Sequence, residues 1–186
     1  MTNSRAARGV PAWIAAHEQP WLKEPKEDNF EHAGLQCRIC RHPILLHYCG
    51  YVGVPKGHPL YGVELDQETP ALQEALERLK RARDVEMTFA RAVAVLVGEI
   101  KPTPQIVLEV HGGITYSGDR VPGEKSDGLW WFGFDCAHAG DFVPKSYFEA
   151  PDLFQGTVYR NYEYVRAQAE RLADQLAAVA RAGPLD

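Results

Sequence analysis

Apolar positions along this chain follow two different spacings. Val158, Tyr162, Val165, Ala169, Leu172, Leu176 and Val179 recur every third or fourth residue, the mark of one buried helical stripe. That stripe predicts a helix over 157–181, ended by Gly183-Pro184. Leu72, Leu76 and Leu79 repeat at the same spacing after Thr69-Pro70. Threonine as N-cap and proline in the first turn predict a shorter helix from Pro70 to about Ala82. Elsewhere the pattern is strand-like. Leu35 to Arg41 and Ile44 to Val54 read as a hairpin turning at His42-Pro43. Gly50-Tyr51-Val52-Gly53 alternates small and large residues, and glycine inside a strand marks close approach of another group. Gln105 to Ser117 and Leu129 to Cys136 read as further strands joined by a loop over 120–128, with one more strand near Ala92 to Val97. Pro55-Lys56-Gly57-His58-Pro59 is a loop.

Strands first and a long helix last predict the α+β class. The expected architecture is an antiparallel sheet with the long C-terminal helix packed on one face and a short inserted helix. Residues 1–32, broken by Pro11, Pro20 and Pro25, read as an extended N-terminal arm that docks through Trp13, Ile14, Trp21 and Leu22. Residues 33–183 form the single domain.

Composition narrows the classes. With 186 residues, 45% of them hydrophobic, the chain can bury a core without disulfides. A net charge of −5 and the absence of a basic run argue against long nucleic acid as a partner. No run approaches the ~18 apolar residues of a membrane span, so no membrane partner is expected. The first residues lack the apolar stretch of a signal peptide, which places the protein in the cytoplasm. The four cysteines are then expected as thiols. Cys37 and Cys40, with His42, His47 and Cys49 nearby, have zinc-like spacing, but positions i and i+3 of a strand point to opposite faces.

Candidate chemistry concentrates at two chain segments. Trp130 to Phe134 is dense and apolar, then breaks into Asp135, Cys136, His138 and Asp141. Ile106 to Val110 runs into His111-Gly112-Gly113 in the same way. Carboxylates orient an imidazole and hold its tautomer. His111, His138, Asp135 and Asp141 are therefore the candidate acid–base residues. His111, His138 and Asp141 are also the candidate ligands should the site use a divalent metal, and the residues name no other cofactor. The alternative is a turn in which the aspartates cap backbone N–H groups. Gly112 and Gly113 suit an anion nest. Lys56, His58, Tyr51, Tyr116 and Trp131 are the candidate ligand-binding residues, as a phosphate contact and an aromatic wall. Cys136 beside His138 offers a nucleophilic pair, against a small buried cysteine. Walker, Rossmann, Gly-x-Ser-x-Gly and His-Glu-x-x-His signatures are absent.

Several segments together carry a resemblance: Cys49 to Pro55 with Gly57-His58-Pro59, Val110 to Tyr116, Trp130 to Asp141, and the helix from Tyr159 to Leu176. Over about residues 35–180 the chain resembles a family of small proteins from tailed phages and from actinobacterial and other bacterial genomes. The resemblance implies a context, not an activity. Small phage accessory proteins counter host defence, and one route is to cleave or sequester a nucleotide immune signal in the host cytoplasm. Three expectations follow. The first is a phosphodiesterase-like hydrolase of a small nucleotide-like molecule. The second is a module, a homodimer or larger oligomer, that sequesters such a nucleotide in the same pocket. The third is a protein-binding inhibitor of a host defence enzyme that acts through the N-terminal arm.

Overall fold

Strands β1 (Glu27–His32), β2 (Leu35–Arg41), β3 (Tyr48–Val54), β4 (Tyr116–Gly118) and β5 (Trp130–Asp135) form one antiparallel sheet in the order β1-β2-β3-β5-β4. The structure is a computed structural model that describes residues 20–82, 101–149 and 156–181. Among the described residues four α-helices accompany the sheet: α1 (Pro70–Ala82), the single turn α2 (Pro104–Val107), α3 (Pro144–Glu149) and the long α4 (Tyr162–Arg181). The chain is α+β, with α4 lying across one face of the sheet and α1 as the short inserted helix.

Alternation sorts the strand residues. Leu35, Cys37, Ile39, Val52, Val54, Phe132 and Phe134 face α4 and meet Val165, Ala169, Leu172 and Leu176 in the main core. Full burial of Leu172 and Leu176 contributes roughly 1.5–3 kcal/mol each. The other face carries Cys49, Tyr51 and Trp131, covered by Val121 and Leu129 in a second, smaller cluster.

The strand glycines sit opposite aromatic rings. Gly50 pairs with Phe134 and Gly133 pairs with Tyr51. A Cβ added at Gly50 would lie 2.5 Å from the Phe134 ring, and one at Gly133 would lie 2.4 Å from the Tyr51 ring. Each glycine thus gives a large neighbour its room on the same face. Gly133→Ala is expected to cost about 1–3 kcal/mol through overpacking, read as a lower urea midpoint at unchanged m-value. An unshifted midpoint would show that the Tyr51 ring moves freely.

Local chemistry sets the element ends. Thr69 Oγ1 accepts the Leu72 N–H at 3.2 Å, the expected N-cap of α1. The long helix begins at Tyr162 instead of residue 157, because Asn161 Oδ1 accepts the Tyr164 N–H at 2.9 Å and caps it there. Val158 is therefore outside the helix and exposed, and its backbone bridges to Asp141. The return strand of the hairpin starts at Tyr48, later than the expected Ile44. His42 Nδ1 accepts the N–H groups of Ile44 and Leu45, and Leu46 adopts φ +66°, so residues 42–47 make a loop. The strand expected over 105–117 shrinks to β4. Pro104 opens a helical turn, and the chain from 108 to 115 is irregular.

The boundary expected at residue 32 falls inside a paired hairpin. β1 is a strand of the sheet, and the segment before it is docked. Trp21 is buried, its ring 5.5 Å from Phe142 and 5.7 Å from Tyr159. Glu24 Oε2 accepts from Arg41 at 2.7 Å and from the Tyr159 hydroxyl at 2.6 Å. Leu22 is exposed. Trp13, Ile14 and the strand expected near Ala92 to Val97 lie outside the described residues. Among the described residues no helix is long and apolar enough to cross a membrane.

Candidate functional site

A buried carboxylate organises the end of the sheet where β5 finishes. Asp141 is 2% exposed. Its Oδ2 accepts from His111 Nε2 at 2.7 Å and from the His138 backbone N–H at 3.0 Å, and its Oδ1 accepts from Arg160 Nε at 2.9 Å. Burial alone would raise the Asp141 pKa, yet the hydrogen bonds from His111 and Arg160 outweigh it and hold the carboxyl below its ordinary range. Backbone bonds fix this arrangement. Phe142 N–H donates to Val158 O and Val158 N–H donates to Gly140 O, so the segment that carries Arg160 is clipped to the segment that carries Asp141.

His111 is held on every side. With Nε2 donating to the Asp141 carboxylate, the neutral ring accepts the Tyr164 hydroxyl at Nδ1, 3.1 Å away. Its backbone N–H donates to Gln168 Oε1 at 2.9 Å. The Tyr164 ring stands edge-on to the imidazole at 5.5 Å, and the Arg160 guanidinium lies 4.9 Å from the centre of the Tyr164 ring. Asp141, His111 and Tyr164 thus form one hydrogen-bonded chain from a buried carboxylate to a half-buried phenol.

His138 stands next to it, its ring centroid 5.6 Å from that of His111. The ring packs on the backbone of Gly112, where a Cβ would fall 1.9 Å from His138 Nε2. That nitrogen is buried without a hydrogen-bond partner, 3.8 Å from Asp135 Oδ1. Asp135 itself accepts the Thr115 hydroxyl at 2.9 Å and the Ala137 N–H at 3.0 Å. Asp135 is thus a turn-stabilising residue that also faces His138.

Comparisons with protein-family models, with curated proteins and with solved structures return no match. The site is therefore read from its own chemistry.

The structure brings His111, His138, Asp135 and Asp141 together at one end of the sheet. It does not bring the expected ligand-binding residues there. Lys56 is exposed in the loop beyond Val54, at the other end of β3, on the order of 20 Å along the strand. His58 is buried, donating from Nε2 to Leu176 O at 2.9 Å and accepting the Leu60 N–H at Nδ1 at 3.0 Å. It pins its loop to α4, so both ring nitrogens serve structure. Tyr51, Tyr116 and Trp131 belong to the small cluster on the sheet face away from α4. They pack there as core residues, with Trp131 Nε1 donating to Asp127 at 3.1 Å. The anion nest expected at Gly112-Gly113 does not form, since the Gly113 N–H donates to Val110 O. Positive φ at both glycines turns the chain, and the room at Gly112 is taken by His138.

The metal reading does not fit these residues. Among the described residues no group of three or more His, Cys, Asp or Glu side chains is arranged to hold a metal ion. His111 and Asp141 spend their donor atoms on each other, on Tyr164 and on Arg160. Cys37 faces α4 while Cys40 lies beside the cluster on the other face, so the pair does not converge. Burial pushes the Cys37 and Cys49 thiols up to about 12, and it pushes the Cys136 thiol up as well. Cys136 therefore stays protonated near neutral pH, which removes it as a nucleophile.

Sequence reasoning passed over Tyr164, Gln168, Arg171 and Gln175. They form a second stripe on α4, offset from the apolar one. Gln175 bonds both the N–H and the carbonyl of Glu109, and Arg171 pairs with the Glu109 carboxylate at 2.7 Å. With Tyr164 and Gln168 on His111, this stripe takes up the polar groups of 109–111 that a strand partner would otherwise satisfy. Polar residues at helical spacing beside an apolar stripe were the available signal. Arg160, before the helix, had none.

His47 adds a pH dependence. It is buried near Asp135, Asp141, His138 and the stacked ring of His42, and burial lowers its pKa despite the aspartates. Burial lowers the His58 pKa too. The unfolded chain takes up these protons near pH 6.5, while the folded protein resists them until lower pH. Stability is thus full above about pH 6.5 and falls as the pH drops below it. Asp141 acts lower still, its contribution present above its ordinary range and lost as pH falls through its depressed folded value. Urea midpoints at pH 7.5 and 5 should differ in that direction, and His47→Gln should narrow the difference. Equal midpoints would contradict this account.

Proposed function

We propose that the cluster of Asp141, His111, Tyr164, Arg160 and His138 binds and hydrolyses a small, phosphate-bearing, nucleotide-like molecule. The observation that carries this reading is the buried, ionised Asp141 gripping both an imidazole and a partly exposed guanidinium at the end of the sheet. Ionised groups of perturbed pKa, clustered with histidines, mark sites of proton transfer. Arg160 is partly exposed, and with Nε on Asp141 its terminal N–H groups suit an anionic oxygen. The nucleotide-like class rests on the sequence resemblance and its phage context.

One observation favours a second reading, sequestration without turnover. Neither ring nitrogen of His111 is unengaged, so the group best placed by sequence to act as a base is already committed.

Incubation with cyclic and linear nucleotides, with and without Mg²⁺ or Mn²⁺, separates the readings. Chromatography is run before and after heat denaturation. A product peak that disappears in His138→Ala supports hydrolysis. A nucleotide that is depleted and then returns intact supports sequestration. No change in any peak refutes both and leaves a surface-acting inhibitor of another protein.

A further inference from the structure

We propose that Tyr164 is the nucleophile of this site and that turnover passes through a covalent Tyr164–phosphoryl ester. The inference rests on the hydrolytic reading above and names the group that attacks. A nucleophile, a base within hydrogen-bond reach and a third group that orients the base define this kind of chemistry. Here Tyr164 Oη lies 3.1 Å from His111 Nδ1, and His111 Nε2 lies 2.7 Å from the buried Asp141 carboxylate. The order is carboxylate, imidazole, hydroxyl, with a phenol in the hydroxyl position. An acid–base pair of two histidines would need an uncommitted nitrogen on His111. The chain of bonds hands that role outward to the phenol.

The step balances with the residues present. The Tyr164 oxygen forms a bond to phosphorus as the bond from phosphorus to the leaving oxygen breaks. The phenolic proton passes to His111 Nδ1, and Asp141 stabilises the imidazolium through the Nε2–H. That proton then goes to the leaving oxygen. Water next attacks phosphorus, His111 takes its proton, and the Tyr164–phosphorus bond breaks, with the proton returned to the phenol. The net change is hydrolysis of one ester bond. Arg160 serves both halves. Its guanidinium over the ring favours negative charge on the phenol oxygen, and its terminal N–H groups suit the phosphoryl oxygens.

Two probes test this: bis(4-nitrophenyl) phosphate and 4-nitrophenyl phosphate. Nitrophenolate release is followed in the first turnover, and acid-quenched protein is digested and weighed by mass spectrometry. The expected result is release from at least one ester, with a phosphoryl adduct on the peptide that contains Tyr164. Tyr164→Phe should lower turnover by at least ~10³-fold while its thermal melt stays close to wild type, since only a hydroxyl is removed. His111→Gln should slow adduct formation and flatten its pH profile. Turnover that persists in Tyr164→Phe, with no adduct in the wild type, would overturn the covalent route and leave the hydrolytic reading standing. No nitrophenolate from either ester and no product from the nucleotide panel would overturn both.

Discussion

Asp141→Asn is expected to lower turnover by about 10³–10⁴-fold and to destabilise the fold by about 3 kcal/mol. The substitution is isosteric, so packing is kept and only charge and donor–acceptor order change. An ionised carboxylate satisfies His111, Arg160 and the His138 N–H at once. An amide offers one oxygen and one NH2 group, so either the Arg160 guanidinium or the N–H groups of His111 and His138 must face a donor. His111 then loses the bond that fixes its tautomer, and Tyr164 loses an oriented acceptor. Urea unfolding reads the stability loss, and the ester assays read turnover. The pH dependence supplies an internal check, because the loss of stability below the ordinary carboxylate range should be smaller in the variant. A variant as stable as wild type would mean that solvent already satisfies the Asp141 partners. A variant as active as wild type would remove Asp141 from the mechanism.

Gly112→Ala is expected to cost about 2–5 kcal/mol and to displace His138. Two effects add. Gly112 adopts φ +69°, where an L residue is strained by roughly 1–2 kcal/mol. The new Cβ would also sit 1.9 Å from His138 Nε2 and 2.0 Å from its Cδ2, so the ring must swing away, with an overpacking cost of about 1–3 kcal/mol. Gly113→Ala makes the control. Its φ of +93° carries strain, but no atom lies within 4 Å of an added Cβ. Gly113→Ala should therefore destabilise and still turn over substrate, whereas Gly112→Ala should lose both. Equal activity in the two variants would show that His138 does not need its seat on Gly112.

These two sites show how far local pattern carries. The Thr69 cap, the α1 leucines, the apolar stripe of α4, and the alternation in β2, β3 and β5 are legible residue by residue, because each reports burial of one face of one element. The glycines of β3 are legible as places of close approach, and the approaching groups prove to be Phe134 and the side chains of Leu129 and Trp131. The strand expected over 105–117 fails for a local reason and a distant one. Proline starts a turn at 104, and α4 supplies the hydrogen bonds that a neighbouring strand would have given to 109–111.

By itself, then, the sequence determined the α+β class, the places of β2, α1, β5 and the body of α4, and the clustering of His111, His138, Asp135 and Asp141 near the end of β5. Only the tertiary structure decided which carboxylate holds which histidine. Asp141 takes His111 across 30 positions of chain, and Tyr164 takes the other side of the same ring across 53. It likewise decided that Lys56 and His58 sit at the far end of β3, and that Tyr51, Tyr116 and Trp131 are core. The physical reason is range. Apolar periodicity is set by one element against one core, while the partner of a polar group depends on which distant segment folding brings within about 3 Å.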